Sequence, residues 1–288
     1  EKYSVLPQRS GPMRFLILSL IILLGLSSPA ISGTRDPSTP DSKHLEYGEK
    51  HQCVVQVKGK MNGINKEGEK IEVTASGSGV IVRKRYVITA AHVVQKTKDP
   101  YIILNGKKIK IEWIVIPQQY KQENTGPYDI ALCRLHEDAI IDFYPKLYEK
   151  EDELGKLCSV AGWGMHGTWT TGTIHDDNKR RAGSNYIDPI MFRGMMVCSV
   201  QGTKSQTSLE YLIGHGDSGG GLFIDKKLAG IHSCIYTGDG KLDSSYKDYS
   251  AHTRVSLHRD WMELVMNDYE KILETIKEAN SESVIKFL

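Results

Sequence analysis

The chain has 288 residues, 40% hydrophobic and 25% charged, an ordinary globular composition with room for one or two domains and sizeable cores. Its formal charge of +2 resides in residues 1–32, which hold Lys2, Arg9 and Arg14 against Glu1 alone. The remainder is near neutral, which gives no support to a nucleic-acid surface or a polybasic membrane patch.

Residues 1–12 have no assigned role. From Met13 the order is Arg14, an apolar run from Phe15 to Leu26, then Ser-Ser-Pro-Ala-Ile-Ser-Gly. A basic residue, a short apolar stretch and small residues at Ala30 and Ser32 predict a secretory leader cleaved before Gly33. About 20 apolar residues are needed to span a bilayer, so no stable membrane anchor is expected after cleavage. No cysteine lies near the cleavage point to carry a lipid. A secreted or periplasmic protein is expected.

The segment 33–52 reads as an irregular mature N-terminus or a short propeptide, rich in Pro, Ser, Thr and Asp as far as about Glu46. From Cys53 onward, short apolar or alternating runs are broken by turn signals: Cys53–Val57, Ile71–Thr74, Val80–Val82, Tyr86–Thr89, Tyr101–Leu104 and Ile109–Val115. Asn105-Gly106 predicts a tight hairpin between the last two. Ile109, Ile111 and Trp113 alternate with polar neighbours, as a half-buried strand requires. Many short strands and few helical stretches predict an all-β antiparallel barrel or sandwich. Helical periodicity appears at the C-terminus, where Trp261, Leu264, Val265, Tyr269, Ile272, Leu273 and Ile276 form one stripe. The segment 267–288 is read as a C-terminal helical extension.

Cys53, Cys133, Cys158, Cys198 and Cys234 allow an exported chain at most two intrachain disulfides and one leftover thiol, with the pairing open. No Cys-x-x-Cys pair and no calcium-type acidic spacing is present, so neither a metal nor a cofactor is expected.

Three segments carry chemistry. Gly216-Asp217-Ser218-Gly219-Gly220 sets a serine among glycines that permit a tight turn with backbone N–H groups aimed at one point. Tyr86-Val87-Ile88-Thr89-Ala90-Ala91-His92 places a histidine directly after an apolar strand, and Tyr128-Asp129-Ile130-Ala131-Leu132 opens another apolar run with an acid. A serine hydroxyl is a poor nucleophile until a base takes its proton, and that base needs an orienting acid. In type and order these segments resemble the Thr-Ala-Ala-His, Asp-Ile-Ala-Leu and Gly-Asp-Ser-Gly-Gly motifs of the trypsin-like serine protease family. Cys158-Ser-Val-Ala-Gly162-Trp163-Gly164, Gly230-Ile-His-Ser233 and Thr253-Arg254-Val255, with Trp261 beyond, extend the resemblance over about 47–266.

The resemblance implies two packed antiparallel six-stranded β-barrels with a C-terminal α-helix, residues 53–266 being the protease domain. It implies Ser218 as nucleophile, His92 as base and Asp129 as orienting acid, with the N–H groups of Gly216 and Ser218 as oxyanion hole and Ser233 supporting the acid. It also implies an activating ion pair for Asp217 and partners that are protein or peptide substrates.

The chain departs from the family in several places. No Ile-Val-Gly-Gly-like sequence is present; either a cut after Lys43 or His44 supplies the amine for Asp217, or Asp217 is paired internally. Ser76 and Val93 stand where the family's cysteine pair brackets the histidine. Leu212 replaces the aspartate of an Arg/Lys pocket. His232 and His252 match pocket histidines of bacterial glutamate-specific endopeptidases, whose third falls at Leu222. A substrate pocket of Leu212, His232 and His252 would accept Glu if an imidazole faces it. Packed histidines around an apolar pocket, or Glu210 reading Arg and Lys through a shifted register, are the alternatives.

Two rival readings exist. Gly216-x-Ser218-x-Gly220 also fits an α/β-hydrolase elbow with Asp243 and His252 downstream, but three glycines after the serine make a poor helix start. A silent binding protein on the protease fold would ordinarily have lost a triad member. The oligomeric state is not legible.

Overall fold

The computed structural model of the protein describes residues 24–25 (backbone), 33–65, 68–122, 126–200, 205–238, 240–241 and 243–271. In the first half lie β1 (Leu24–Gly25), β2 (Gly33–Arg35), α1 (Asp41–Glu49), β3 (Val54–Asn65), β4 (Lys70–Arg83), β5 (Tyr86–Thr89), α2 (Ala91–Val94), β6 (Lys98–Leu104), β7 (Lys107–Val115) and β8 (Ala131–Leu135). In the second lie β9 (Leu157–Gly162), β10 (His166–Thr168), β11 (Gly172–His175), β12 (Arg181–Tyr186), β13 (Met191–Phe192), β14 (Met195–Ser199), β15 (Tyr211–Leu212), β16 (Gly221–Ile224), β17 (Lys227–Tyr236) and β18 (Tyr249–Arg254). A final helix, α3, occupies 259–271.

Strands β3-β4-β5-β8-β7-β6 form a closed antiparallel barrel, β6 returning to pair with β3. Asn105 and Gly106 both take positive φ, 49° and 79°, as a two-residue hairpin turn demands. Ile109 and Ile111 point into the barrel core while Lys108, Lys110 and Glu112 face outward, so the alternation behaves as read. The runs at Ile71–Thr74 and Val80–Val82 belong to one long strand, because β4 pairs with β3 without a break from Lys70 to Val80.

The second sheet runs β12-β9-β16-β17-β18-β14-β13. It curls toward closure where the Asp188 N–H, just past β12, donates to the Val197 carbonyl of β14 at 2.9 Å. A shared apolar core joins the two halves: Val80, Ile88 and Leu132 from the first barrel meet Ala161, Phe223 and Ile231 from the second, with Met262 and Met266 of α3. The expected all-β, two-barrel architecture with a C-terminal helix is what the chain adopts.

Two regions differ from the sequence expectation. The N-terminal segment is ordered, not irregular: β2 joins the sheet β11-β10-β2-β15, and α1 buries His44 against Ala182, whose carbonyl lies 3.0 Å from His44 Nδ1. Arg181, 2% exposed, clamps this segment by paired hydrogen bonds to both oxygens of Asp41 and of Asp177. In α3 the buried face is Met262 and Met266, flanked by half-buried Trp261 and Val265, while Leu264 is 59% exposed. The stripe expected from the sequence shares Trp261 and Val265 with the buried face but omits its two methionines and includes the exposed Leu264. Tyr269 of that stripe packs on Trp113 (ring centroids 5.1 Å apart), whereas Ile272, Leu273 and Ile276 lie outside the described residues.

The five cysteines form no disulfide; four are buried and Cys234 is half-buried. No helix among the described residues is long and apolar enough to cross a membrane. Leu132 of β8, three residues after Asp129 and fully buried in the shared core, is a direct probe of that core. Leu132→Ala is expected to cost about 2–5 kcal/mol, read as a lower urea midpoint at unchanged slope.

Candidate active site

Asp129 sits in the tight loop leading into β8, where its own N–H donates to Gly126 carbonyl at 3.1 Å. Its side chain is fully buried, so its charge must be met by donors from the protein itself. One carboxylate oxygen accepts the His92 backbone N–H at 3.0 Å; the other lies 2.7 Å from His92 Nδ1 and 2.5 Å from the Ser233 hydroxyl. Burial works against the carboxylate, but His92 and these hydrogen bonds outweigh it and hold the Asp129 carboxyl below the usual range. His92 shows the mirror effect. Burial disfavours its charge, yet the Asp129 carboxylate dominates and raises its pKa above the ordinary histidine value.

The elements explain why these groups meet. β5 ends at Thr89, α2 begins at Ala91, and the one-turn reversal delivers His92 to the barrel mouth with its side chain 27% exposed. Ser233 and Thr253 come from adjacent strands of the second barrel, the Thr253 hydroxyl donating to the Asp129 carbonyl at 3.1 Å. From the start of α3's lead-in, His258 Nε2 lies 2.6 Å from the Pro127 carbonyl, pinning the acid's loop from a third side. The histidine and acid thus belong to one barrel and their support to the other.

Ser218 reaches the same mouth through its main chain. The Ser78 N–H donates to the Ser218 carbonyl at 2.7 Å, the Ser78 hydroxyl donates to the Gly216 carbonyl at 2.9 Å, and the Gly219 N–H donates to the His232 carbonyl at 2.8 Å. Gly219, at φ +84°, packs where any Cβ would overlap the Ser78 carbonyl and the Thr89 hydroxyl. That approach presses the serine turn against the end of β5, just before His92. No hydrogen bond joins Ser218 Oγ to His92 Nε2 in this structure; such contacts are often loose until a substrate arrives. Gly216 takes φ +88°, and among the described residues no acceptor takes the N–H of Gly216 or of Ser218. Both donors are available to a developing oxyanion.

Other predicted residues fall as follows. Asp217 is 1% exposed and accepts N–H groups from Gly164 at 2.9 Å and Gly214 at 3.1 Å. No described Lys, Arg or His side chain forms an ion pair with it. The cut considered after Lys43 or His44 would sever α1, in which His44 is fully buried. Leu212 is buried beside Trp169 and Val200. His232 and His252 are both fully buried, Nδ1 to Nδ1 at 2.9 Å. Burial keeps both neutral, His232 well below the ordinary value and His252 at about 3. His232 Nε2 faces the Ala161 carbonyl without reaching good hydrogen-bond geometry, so the pair is assigned as His252 Nδ1–H donating to His232. Glu210 is buried and turned onto the Gln206 N–H at 2.6 Å.

A second serine–histidine contact exists between His51 Nε2 and Ser159 at 3.1 Å, but His51 Nδ1 meets the Tyr47 carbonyl and no acid. With its pKa lowered by burial, His51 fastens α1 to β9 and lacks the carboxylate that base catalysis needs. The sequence reading missed Ser78, Thr253 and His215. The first two were inside quoted or neighbouring motifs but have roles only through tertiary contacts. His215, half-buried beside Gly216, is kept below the ordinary histidine value by burial and then by the charge of nearby His92. Among the described residues no group of three His, Cys, Asp or Glu side chains is arranged to hold a metal ion.

Comparison with known proteins agrees with this geometry. The family model described as Trypsin matches residues 47–262. A trypsin of Simulium vittatum is 30% identical over 54% of this chain and 68% of its own length. A chymase of Papio hamadryas is 27% identical over 67% of this chain and 82% of its own. A chymotrypsin of Phaedon cochleariae is 28% identical over 67% of this chain and 72% of its own. Among solved structures, neuropsin, a serine protease of mouse brain, superposes with a TM-score of 0.56 at 19% identity, covering 76% of this chain and 96% of that one. With a matching model over most of its length, the chain belongs to the trypsin family of serine endopeptidases.

Proposed function

We propose that Ser218, His92 and Asp129 are the working triad of an exported endopeptidase. The observation that carries the reading is the buried Asp129 carboxylate bonded at once to the His92 ring, the His92 backbone and Ser233. With Nδ1–H committed to Asp129, His92 presents a bare Nε2 to the mouth where Ser218 lies. Ser218 Oγ attacks the substrate carbonyl while Nε2 takes its proton. The Gly216 and Ser218 N–H groups receive the oxyanion, and the imidazolium, stabilised by Asp129, then protonates the leaving amine. Water repeats the sequence to release the acyl group. The apolar leader and the near-neutral mature chain support export, with residues 267–288 as an extension beyond the protease domain.

For the residue before the cut, an uncharged side chain is the best supported. His232 and His252 spend their facing nitrogens on each other and are neutral, Leu212 is buried, and Glu210 is turned away to Gln206. None of them offers a charged carboxylate or imidazolium to a substrate. The preference for Glu considered from the sequence would need one of these histidines to turn outward and gain a proton.

A fluorophosphonate probe is expected to label the wild-type protein at Ser218, and Ser218→Ala to abolish both labelling and peptide hydrolysis; an unlabelled, folded wild type would make the chain a silent binding protein instead. Asp129→Asn is expected to lower kcat about 10⁴-fold. Because His92 must be neutral to act and its pKa is raised, kcat/KM should fall on acidification through a midpoint above the ordinary histidine value of about 6.5. A pH–rate profile with its midpoint below that value would contradict the Asp129–His92 coupling. In a peptide library varied at the cut site, apolar residues should be enriched; enrichment of Glu would restore the histidine pocket.

A further inference from the structure

The second barrel closes through a short crossing between two of its strands. Asn185 of β12 is in register with Cys158 of β9, and just past β12 the Asp188 N–H donates to the Val197 carbonyl of β14. One stretch of chain therefore has β9 on one side and β14 on the other. The residues that these strands turn inward share a single core: Cys158 and Val160 from β9, Met196 and Cys198 from β14, and Ile187 from the crossing itself.

Two sulfurs meet in that core. Cys158 and Cys198 are 3% and 1% exposed. The Cys158 thiol donates to the Asn185 carbonyl at 3.2 Å, which leaves its sulfur to accept from the Cys198 thiol, and the two side chains are in hydrogen-bond contact. The other three cysteines sit elsewhere. Cys53 belongs to the core shared by the barrels, Cys133 to the core of the first barrel, and Cys234 meets the Tyr236 hydroxyl. The Cys158 sulfur and burial together hold the Cys198 thiol well above the usual thiol value. In the folded chain almost none of it is the thiolate that attacks a disulfide, so an oxidant must reach these sulfurs before β9 and β14 close over them.

We propose that Cys158 and Cys198 are joined as the exported chain folds, forming a disulfide across the interior of the second barrel. Each thiol gives up one proton and one electron, the two sulfurs bond, and a disulfide oxidant of the exporting compartment is reduced to two thiols. The bond ties the strand that leads into Gly164, which holds Asp217, to the strand that pairs with β18, which carries Thr253. It closes a loop of about 40 residues and so removes much of the freedom of the unfolded chain. The oxidising surroundings come from the export reading; the choice of pair comes from the geometry alone.

Thiol counting tests both. The full chain is secreted from an exporting host, unfolded without reductant, alkylated and weighed. Three of its five cysteines should be modified, and a digest should contain one cross-linked peptide pair, Cys158 to Cys198. Five modified thiols, or a link to Cys53, Cys133 or Cys234, would overturn the pairing. Refolding in oxidised and reduced glutathione should give the same count without any secretion step. A chain that forms the bond on refolding but is not carried out by the host supports the pairing and overturns the export reading. Cys158→Ser should show four modifiable thiols and no cross-link, and Cys234→Ser two with the cross-link kept. If either variant fails to fold, the wild-type count decides. Wild type refolded under dithiothreitol should melt about 10 °C below the oxidised form; equal melting temperatures would overturn the bond's role as a staple.

Discussion

A carboxylate with no exposed surface must find its donors inside the protein, and Asp129 finds them on two barrels at once. The His92 backbone and ring come from the strand-to-helix reversal after β5, and the Ser233 hydroxyl comes from β17. Thr253 on β18 and His258 before α3 hold the loop that carries the acid. Satisfying one buried charge therefore fixes the docking of the barrels and the orientation of the imidazole together. The apolar core shared by β5, β8, β16 and β17 supplies the bulk of that docking, but it is non-directional; the hydrogen bonds to Asp129 select the relative placement.

The serine turn is held by the same logic applied to main-chain groups. Ser78 uses both its N–H and its hydroxyl on the Gly216–Ser218 segment, and its hydroxyl also accepts the Trp163 N–H at 2.9 Å. Asp217 ties that segment to Gly164 and Gly214. The hydroxyl of Ser218, the proposed nucleophile, is left out of these bonds, and so are the Gly216 and Ser218 N–H groups proposed to face an oxyanion. Rigidity is placed in the frame while the reacting groups stay free, the arrangement that electrostatic preorganisation requires.

Much of this was legible from residues alone because it depends on local chemistry. A histidine after Tyr86–Ala91, an acid before Ile130–Leu132, and a serine among glycines each carry a backbone or burial requirement that the residue types announce. The Asn105-Gly106 turn and the alternation of Ile109 and Ile111 are equally local. What could not be read depends on distant partners. The order of the segment from Gly33 to Glu49 comes from Arg181, 140 positions from Asp41, and from the strands flanking β2. Ser78 and Thr253 are unremarkable until they stand beside Gly216 and Asp129. His232 and His252, read as pocket groups from their positions, face each other instead, a relation set by the register of β17 against β18.

The central claim is that Asp129 holds a proton on His92 Nδ1 and so leaves Nε2 bare for Ser218. The proton NMR spectrum of the mature protein tests this most directly. A far-downfield, exchange-protected imidazole resonance, assigned to His92 by its loss in His92→Ala and moved upfield in a folded Asp129→Asn variant, is the expected result. A spectrum without such a resonance in the folded wild type, or one unchanged by Asp129→Asn, would contradict the account.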